Sequence, residues 1–365
     1  PYWQTLLQEW PDSATPRATR IVAERLMRLP AETLVALRSQ TPRWLKANWE
    51  SLTRAFVLWD VFFAGLSSPA ETTSAVISES IGGIEIEDVE YTLNAAINAP
   101  VGELVEVLLN RLDKLQLKRN TSLPAEVAQR LLACLVAPGD GALHTAALLG
   151  QHLLWLHTID PAWAREHIVD RMHLSHPQAR ACWNGFFYET RLPDPALFAI
   201  LKPHLIQATT GAHLWPAESH IKRLGQFLAL AACVSTPERY FIAFEEVRAA
   251  LQNTTPEVRD AALDTVSHHG EKESGWREMV KPFLDRGWPR EGAYQTPATT
   301  HAMLRIVAAA GNDIPEAAAT VRPFLVPTVD VDTWIWRIRG KESGSRSMAK
   351  EFPVETLMLI DAVVA

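Results

Sequence analysis

The chain has 365 residues, 47% hydrophobic and 21% charged, an ordinary composition for a folded soluble protein but more than one compact core usually holds, so two domains or one elongated array are expected. A net charge of −7 argues against a polyanion as the main partner, and three widely spaced cysteines in apolar stretches (Cys134, Cys182 and Cys233) exclude a disulfide framework and suit a reducing compartment. The longest apolar run, Phe227 to Val234, is far short of the roughly 20 residues of a membrane span, and with no signal peptide visible a cytoplasmic location without membrane contact is expected.

Helical periodicity runs almost throughout. Pro1 is followed at once by helix-like sequence from Tyr2 to Trp10, and the far end stops inside the apolar helix Leu357–Ala365, so the chain reads as a fragment of a longer protein. Thr15-Pro16 opens the next helix, because a first-turn proline loses no helical hydrogen bond and a preceding Thr caps the free amides. Arg43-Trp44-Leu45-Lys46 mixes aromatic and basic residues, and Trp49, Leu52, Phe56 and Trp59 continue at helical spacing, which points to core packing. Ile81-Gly82-Gly83-Ile84-Glu85-Ile86 is a short non-helical break.

After Pro100, Val101, Leu104, Val105, Leu108, Leu112 and Leu115 form one stripe, with Glu103, Glu106, Asn110, Asp113 and Lys114 opposite. Start signals recur at Leu123-Pro124, Asp160-Pro161, His176-Pro177, Asp194-Pro195 and Thr255-Pro256. The segment after Pro237 repeats the stripe with Tyr240, Phe244, Val247 and Leu251, and Gly287-Trp288-Pro289 marks a second break. Leu131-Leu132-Ala133-Cys134 resembles Leu230-Ala231-Ala232-Cys233, a degenerate internal repeat. The expected fold is all-α: an irregular, right-handed α-solenoid of helix pairs, a HEAT-like superhelix stabilised by nearest-neighbour interfaces. The breaks suggest an N-terminal segment 1–80, a central array 81–286 and a C-terminal segment 287–365.

Nine of the twelve histidines fall between His144 and His220, and Asp170, His173 and His176 stand three apart, a spacing that faces a carboxylate and two imidazoles one way on a helix. Pro177 nevertheless places His176 at a helix entry, which favours capping and surface roles, so no metal site is assigned. Gly139-Asp140-Gly141 lacks the strand of a phosphate loop and reads as a turn opening a helix; Gly340-Lys341-Glu342-Ser343 has the same defect. With no nucleophile elbow and no metalloprotease helix, neither catalysis nor a cofactor is expected of this chain. Arg337, Arg339, Lys341, Arg346 and Lys350 form a basic stretch that reads either as a ligand-facing segment or, more plainly, as a solvated loop. Partner contacts are expected at Arg337, Arg339 and Arg346, with Trp44 as a further interface anchor if it is not core.

Two stretches carry a resemblance. One runs from Pro177-Gln178-Ala179-Arg180 through Cys182-Trp183-Asn184-Gly185-Phe186-Phe187 to Pro195-Ala196-Leu197-Phe198 and Lys202-Pro203. The other runs from Gly275-Trp276 through Lys281-Pro282-Phe283-Leu284, Trp288-Pro289-Arg290 and Val321-Arg322-Pro323-Phe324 to Phe352-Pro353-Val354-Glu355. Together they resemble the helical region that follows sirtuin-type domains in large bacterial anti-phage defence proteins, over about the last half of the chain. The resemblance implies a neighbouring NAD-degrading module, with this region serving recognition or assembly: its partner is a phage component, an effector domain or a partner subunit, and any oligomer forms through the full-length protein. No catalytic residue of that module maps onto a position here. Two other readings stand beside it: a free-standing helical-repeat module binding nucleic acid or protein, and a metal-dependent hydrolase using the histidine-rich middle.

Overall fold

The computed structural model describes residues 2–10, 14–67, 79–81, 84–86, 93–188, 191–214, 218–236, 240–270, 275–328 and 347–364. They form an all-α fold with one small addition, the antiparallel hairpin of β1 (Glu79–Ile81) and β2 (Ile84–Ile86), in which Ile81 pairs with Ile84. The break expected around Gly82-Gly83 is therefore flanked by strand. Two compact units emerge, Pro1–Thr190 and Arg191–Ala365, and their division falls inside the stretch 81–286.

In the first unit, α1 (Tyr2–Gln8), α2 (Pro16–Leu26), α3 (Ala31–Ala36), α4 (Gln40–Asn48) and α5 (Ala55–Leu66) precede a second group. That group comprises α6 (Leu93–Asn98), α7 (Pro100–Lys114), α8 (Ala125–Leu135), α9 (Gly141–Gln151), α10 (Leu153–Ile159), α11 (Pro161–His167) and α12 (Ala179–Phe186). The cap signals act as expected. Thr15 Oγ1 accepts from the Ala18 amide at 3.3 Å, and Asp160 Oδ1 accepts from Trp163 N at 3.0 Å. Pro124 and Pro177 lie just ahead of helices that open at Ala125 and Ala179.

Two sequence expectations change here. Trp49 does not continue a helix: a 3-10 turn over Trp49–Ser51 separates α4 from α5. The core role still holds, because Trp49 packs edge-on against Phe56 and buried Trp59 donates from Nε1 to the Leu104 carbonyl at 3.0 Å. Glu103, expected on a solvent face, is buried, because α7 is covered on two sides: α4 packs on it and Arg43 Nε donates to Glu103 Oε1 at 2.9 Å.

Helix α9 is enclosed by α6, α7, α8 and α12, and eight of its residues are buried. Its crossing with α12 is set by glycine on both sides. A Cβ on Gly185 would collide with the Ala147 carbonyl oxygen, and one on Gly150 with that of Cys182. The helix backbones touch directly because neither residue has a side chain.

The second unit holds α13 (Pro195–Thr210), α14 (Glu218–Cys233), α15 (Phe244–Gln252) and α16 (Pro256–Gly270). Two π-helical turns, Trp276–Val280 and Phe283–Gly287, lead to α17 (Pro297–Ala309), α18 (Ile314–Val321), α19 (Met348–Glu351) and α20 (Pro353–Val364). Asp194 Oδ1 caps α13 through the Ala196 and Leu197 amides. Helix α16 packs on both α14 and α17, and Gly225 of α14 lies against the Val258 carbonyl. Tyr240 does not belong to the helix its stripe suggested. It takes φ +53°, puts its ring edge-on to Phe198, and α15 begins only at Phe244.

Candidate functional site

The residues most suggestive of chemistry are engaged in holding the fold. Asp170 sits in a 3-10 turn, Val169–Met172, which ends before His173. His173 Nδ1 lies 2.8 Å from Ser175 Oγ, and His176 Nδ1 accepts from the Gln178 amide at 3.1 Å, so both imidazoles close local turns. Among the described residues no three His, Cys, Asp or Glu side chains are placed to share an ion, and Asp170, His173 and His176 are not brought together as such a group. The same stretch forms a clasp instead. Arg171 Nε donates to Gln178 Oε1 at 3.0 Å, and Gln178 Nε2 donates to the Leu135 carbonyl at 2.7 Å, tying the entry of α12 to the end of α8. Gly139, at φ +58°, turns the chain into α9.

The thiols are shielded. Burial pushes Cys134 well above the ordinary thiol range, and Cys182 and Cys233 up to about 12, which leaves almost no thiolate at neutral pH. Trp44, expected as an interface anchor if not core, is 2% exposed and packs edge-on against Trp10 with ring centroids 5.9 Å apart, so it belongs to the core. Its position at the inner side of α4 decides this, since the helix turns Arg43 outward and Trp44 inward. Arg337, Arg339 and Arg346 lie outside the described residues.

A surface stands out in the second unit, on α20. Its inner residues Thr356, Leu359 and Val363 are buried, and the Thr328 amide donates to the Val363 carbonyl at 3.0 Å, which seats the helix beside α18. Its outer side is also apolar. Val354, Leu357 and Val364 are 74%, 71% and 72% exposed, and with Met358 and Ile360 they line an open groove of about 680 Å³. Arg322 and Asp361 supply one charge of each sign at that groove.

Isolated exposed apolar residues need no explanation, whereas several on one helix face mark a contact surface. The sequence carried a signal for it. Between Val354 and Val364 apolar residues occupy every side of the helix, the pattern of a helix covered all round, yet the described residues cover it on one side. Comparison of the chain with protein-family models, with curated proteins and with solved structures returned no match.

Proposed function

We propose that this chain is a non-catalytic binding region and that the outer face of α20 docks an apolar segment of a partner protein. The observation that carries the reading is the exposed row Val354, Leu357 and Val364 on a helix otherwise anchored by buried Leu359 and Val363. A protein segment suits the groove better than a polyanion, because its walls are aliphatic and Arg322 is offset by Asp361. The finer assignment rests on the resemblance described above: a recognition and scaffold region of a bacterial anti-phage protein, coupling a phage-derived trigger to a sirtuin-type NAD-degrading effector, with the effector as the docked partner. HEAT-like superhelical stacking belongs to the same proposal. Packing of α16 on both α14 and α17 is the nearest-neighbour arrangement that such a stack uses.

The test is the double substitution Leu357→Asp and Val364→Asp in the full-length protein, read by cellular NAD during phage infection and by plaque number. Both sites are exposed, so the melting temperature should stay within the small range of surface substitutions. NAD depletion and protection should be lost together. Undiminished NAD depletion and protection in the folded variant would overturn the assignment.

A further inference from the structure

We infer that the exposed face of α2 contacts the phosphate backbone of duplex nucleic acid. This rests on the first unit and is independent of the groove on α20. Between residues 14 and 54 the chain has eight Arg and Lys against three Glu, a local charge of +5 in a chain whose total is −7. Helix α2 concentrates that charge. Its buried side is Thr19, Val22, Ala23 and Leu26, and its exposed side carries Arg17, Arg20 and Arg25, continued by Arg28 two residues past the helix end. At 100° per residue these four guanidinium groups and Glu24 share one face, and they span about 16 Å along the axis.

Arg17, Arg25 and Arg28 make no ion pair within the described residues, and Arg20 is held only by its own helix, donating from Nε to the Pro16 carbonyl at 3.3 Å. Among the described residues Arg54, Arg165 and Arg180 are also without an ion pair, but they stand singly, whereas those of α2 are grouped on one helix face. Other arginines of the unit are neutralised. Arg43, Arg111 and Arg130 are each paired with a carboxylate, Glu103, Glu50 and Asp60 respectively. Helix stability accounts for only part of the arrangement: Arg25 in the last turn suits the helix dipole, whereas Arg17 in the first turn opposes it and no acid stands there.

The chemistry selects among anionic partners. Guanidinium groups bind phosphate oxygens through two parallel hydrogen bonds, and unpaired ones release phosphate counterions on binding. A lipid surface would need a broad apolar side, but that side of the helix is buried against the fold and Ile21 is the one large apolar residue of α2 exposed beside the arginines. A single strand would need stacking rings; α2 has no aromatic residue and Trp44 is core. The negative total does not prevent contact, since at physiological salt charges farther than about 8 Å are largely screened.

Fluorescence anisotropy of the full chain with a labelled 20-base-pair DNA duplex, from 50 to 200 mM KCl, tests the inference. Binding should weaken with salt with a log–log slope near −3, as expected for about three or four phosphates. The triple variant Arg17→Glu, Arg25→Glu and Arg28→Glu should bind at least about tenfold more weakly and lose most of that slope. Glu24→Gln, which removes a charge without loading the fold, should tighten binding. No duplex binding at 50 mM KCl, or unchanged affinity in both variants, would overturn it. So would binding to phosphatidylserine vesicles without binding to DNA.

Discussion

Each unit is built on a pair of helices in backbone contact, and the two pairs are made differently. In the first, α9 and α12 exchange the device: Gly150 faces the Cys182 carbonyl and Gly185 faces the Ala147 carbonyl. In the second, the closest approach rests on Gly225 against Val258, and Ala262 of α16 lies beside it. A reciprocal contact fixes both the distance and the register of two helices, whereas a one-sided contact fixes the distance at one point. The first unit is the more tightly specified, because its central helix has partners on all sides and no face on which to relax.

This difference is open to attack by substitution. Gly185→Ala should have the largest effect, about 3 kcal/mol or more of lost stability in urea unfolding, even after the roughly 1 kcal/mol that alanine gains over glycine in helix propensity. Gly225→Ala should cost less, about 2 kcal/mol, since its clash is with one stretch of backbone, Val258 to Ala262, and is not repeated by a glycine on α16. Equal costs would show that reciprocity adds nothing.

Capping comes next in size. Asp160 holds two amides from separate segments, Trp163 N at 3.0 Å and Leu123 N at 2.9 Å, whereas both amides held by Asp194 belong to its own helix. Asp160→Ala is expected to cost about 2 kcal/mol and Asp194→Ala about 1 kcal/mol, read as the shift in denaturant midpoint.

The smallest effect is in pH dependence, where one carboxyl of each unit, Glu106 and Asp260, is shifted in the opposite direction from the other. In the first, His152, with Nε2 3.9 Å from Oε1, and Lys46, which donates to Oε2 at 3.3 Å, hold the Glu106 carboxyl below its ordinary value. Its stabilising contribution is present above that ordinary value and is lost as pH falls through the depressed one. In the second, burial and the neighbouring Asp264 hold Asp260 above its ordinary value, so its contribution is present in acid and is lost as pH rises through the raised value. Hydrogen exchange followed peptide by peptide should therefore show Glu106→Gln removing a loss on falling pH near α7, and Asp260→Asn removing a loss on rising pH near α16. The same sign in both peptides would refute the contrast.

Much of the helix plan was legible because its signals are local. Thr15, Asp160 and Asp194 precede prolines and cap helices as their chemistry dictates. What escaped depended on neighbours in space. Periodicity marks one buried face, so it could not show that α4 covers the other side of α7 and buries Glu103. The Tyr240 stripe had the right spacing, but a left-handed backbone places that residue before the helix. The repeated Leu-Leu-Ala-Cys and Leu-Ala-Ala-Cys segments are not equivalent: the first belongs to α8, a flank of α9, and the second ends α14, half of the central pair. The candidate surfaces were masked by averages. A total of −7 conceals the +5 of residues 14–54, and an apolar last helix looks like core until its exposure is known.

The shielded cysteines give the molecule internal reporters. Cys182 lies where α12 meets Gly150, and the Cys134 carbonyl accepts from Thr145 Oγ1 of α9 at 3.1 Å, so two thiols flank the enclosed helix from different sides. Cys233 ends the central helix of the other unit. A fully buried thiol such as Cys134 or Cys182 is alkylated only when the surrounding structure opens, whereas Cys233, half-buried, is open to reagent in the folded state as well. The rate at which iodoacetamide modifies Cys134 and Cys182 in the native protein would therefore clock the opening of the first unit around its enclosed helix, with Cys233 as the faster internal reference and no residue changed.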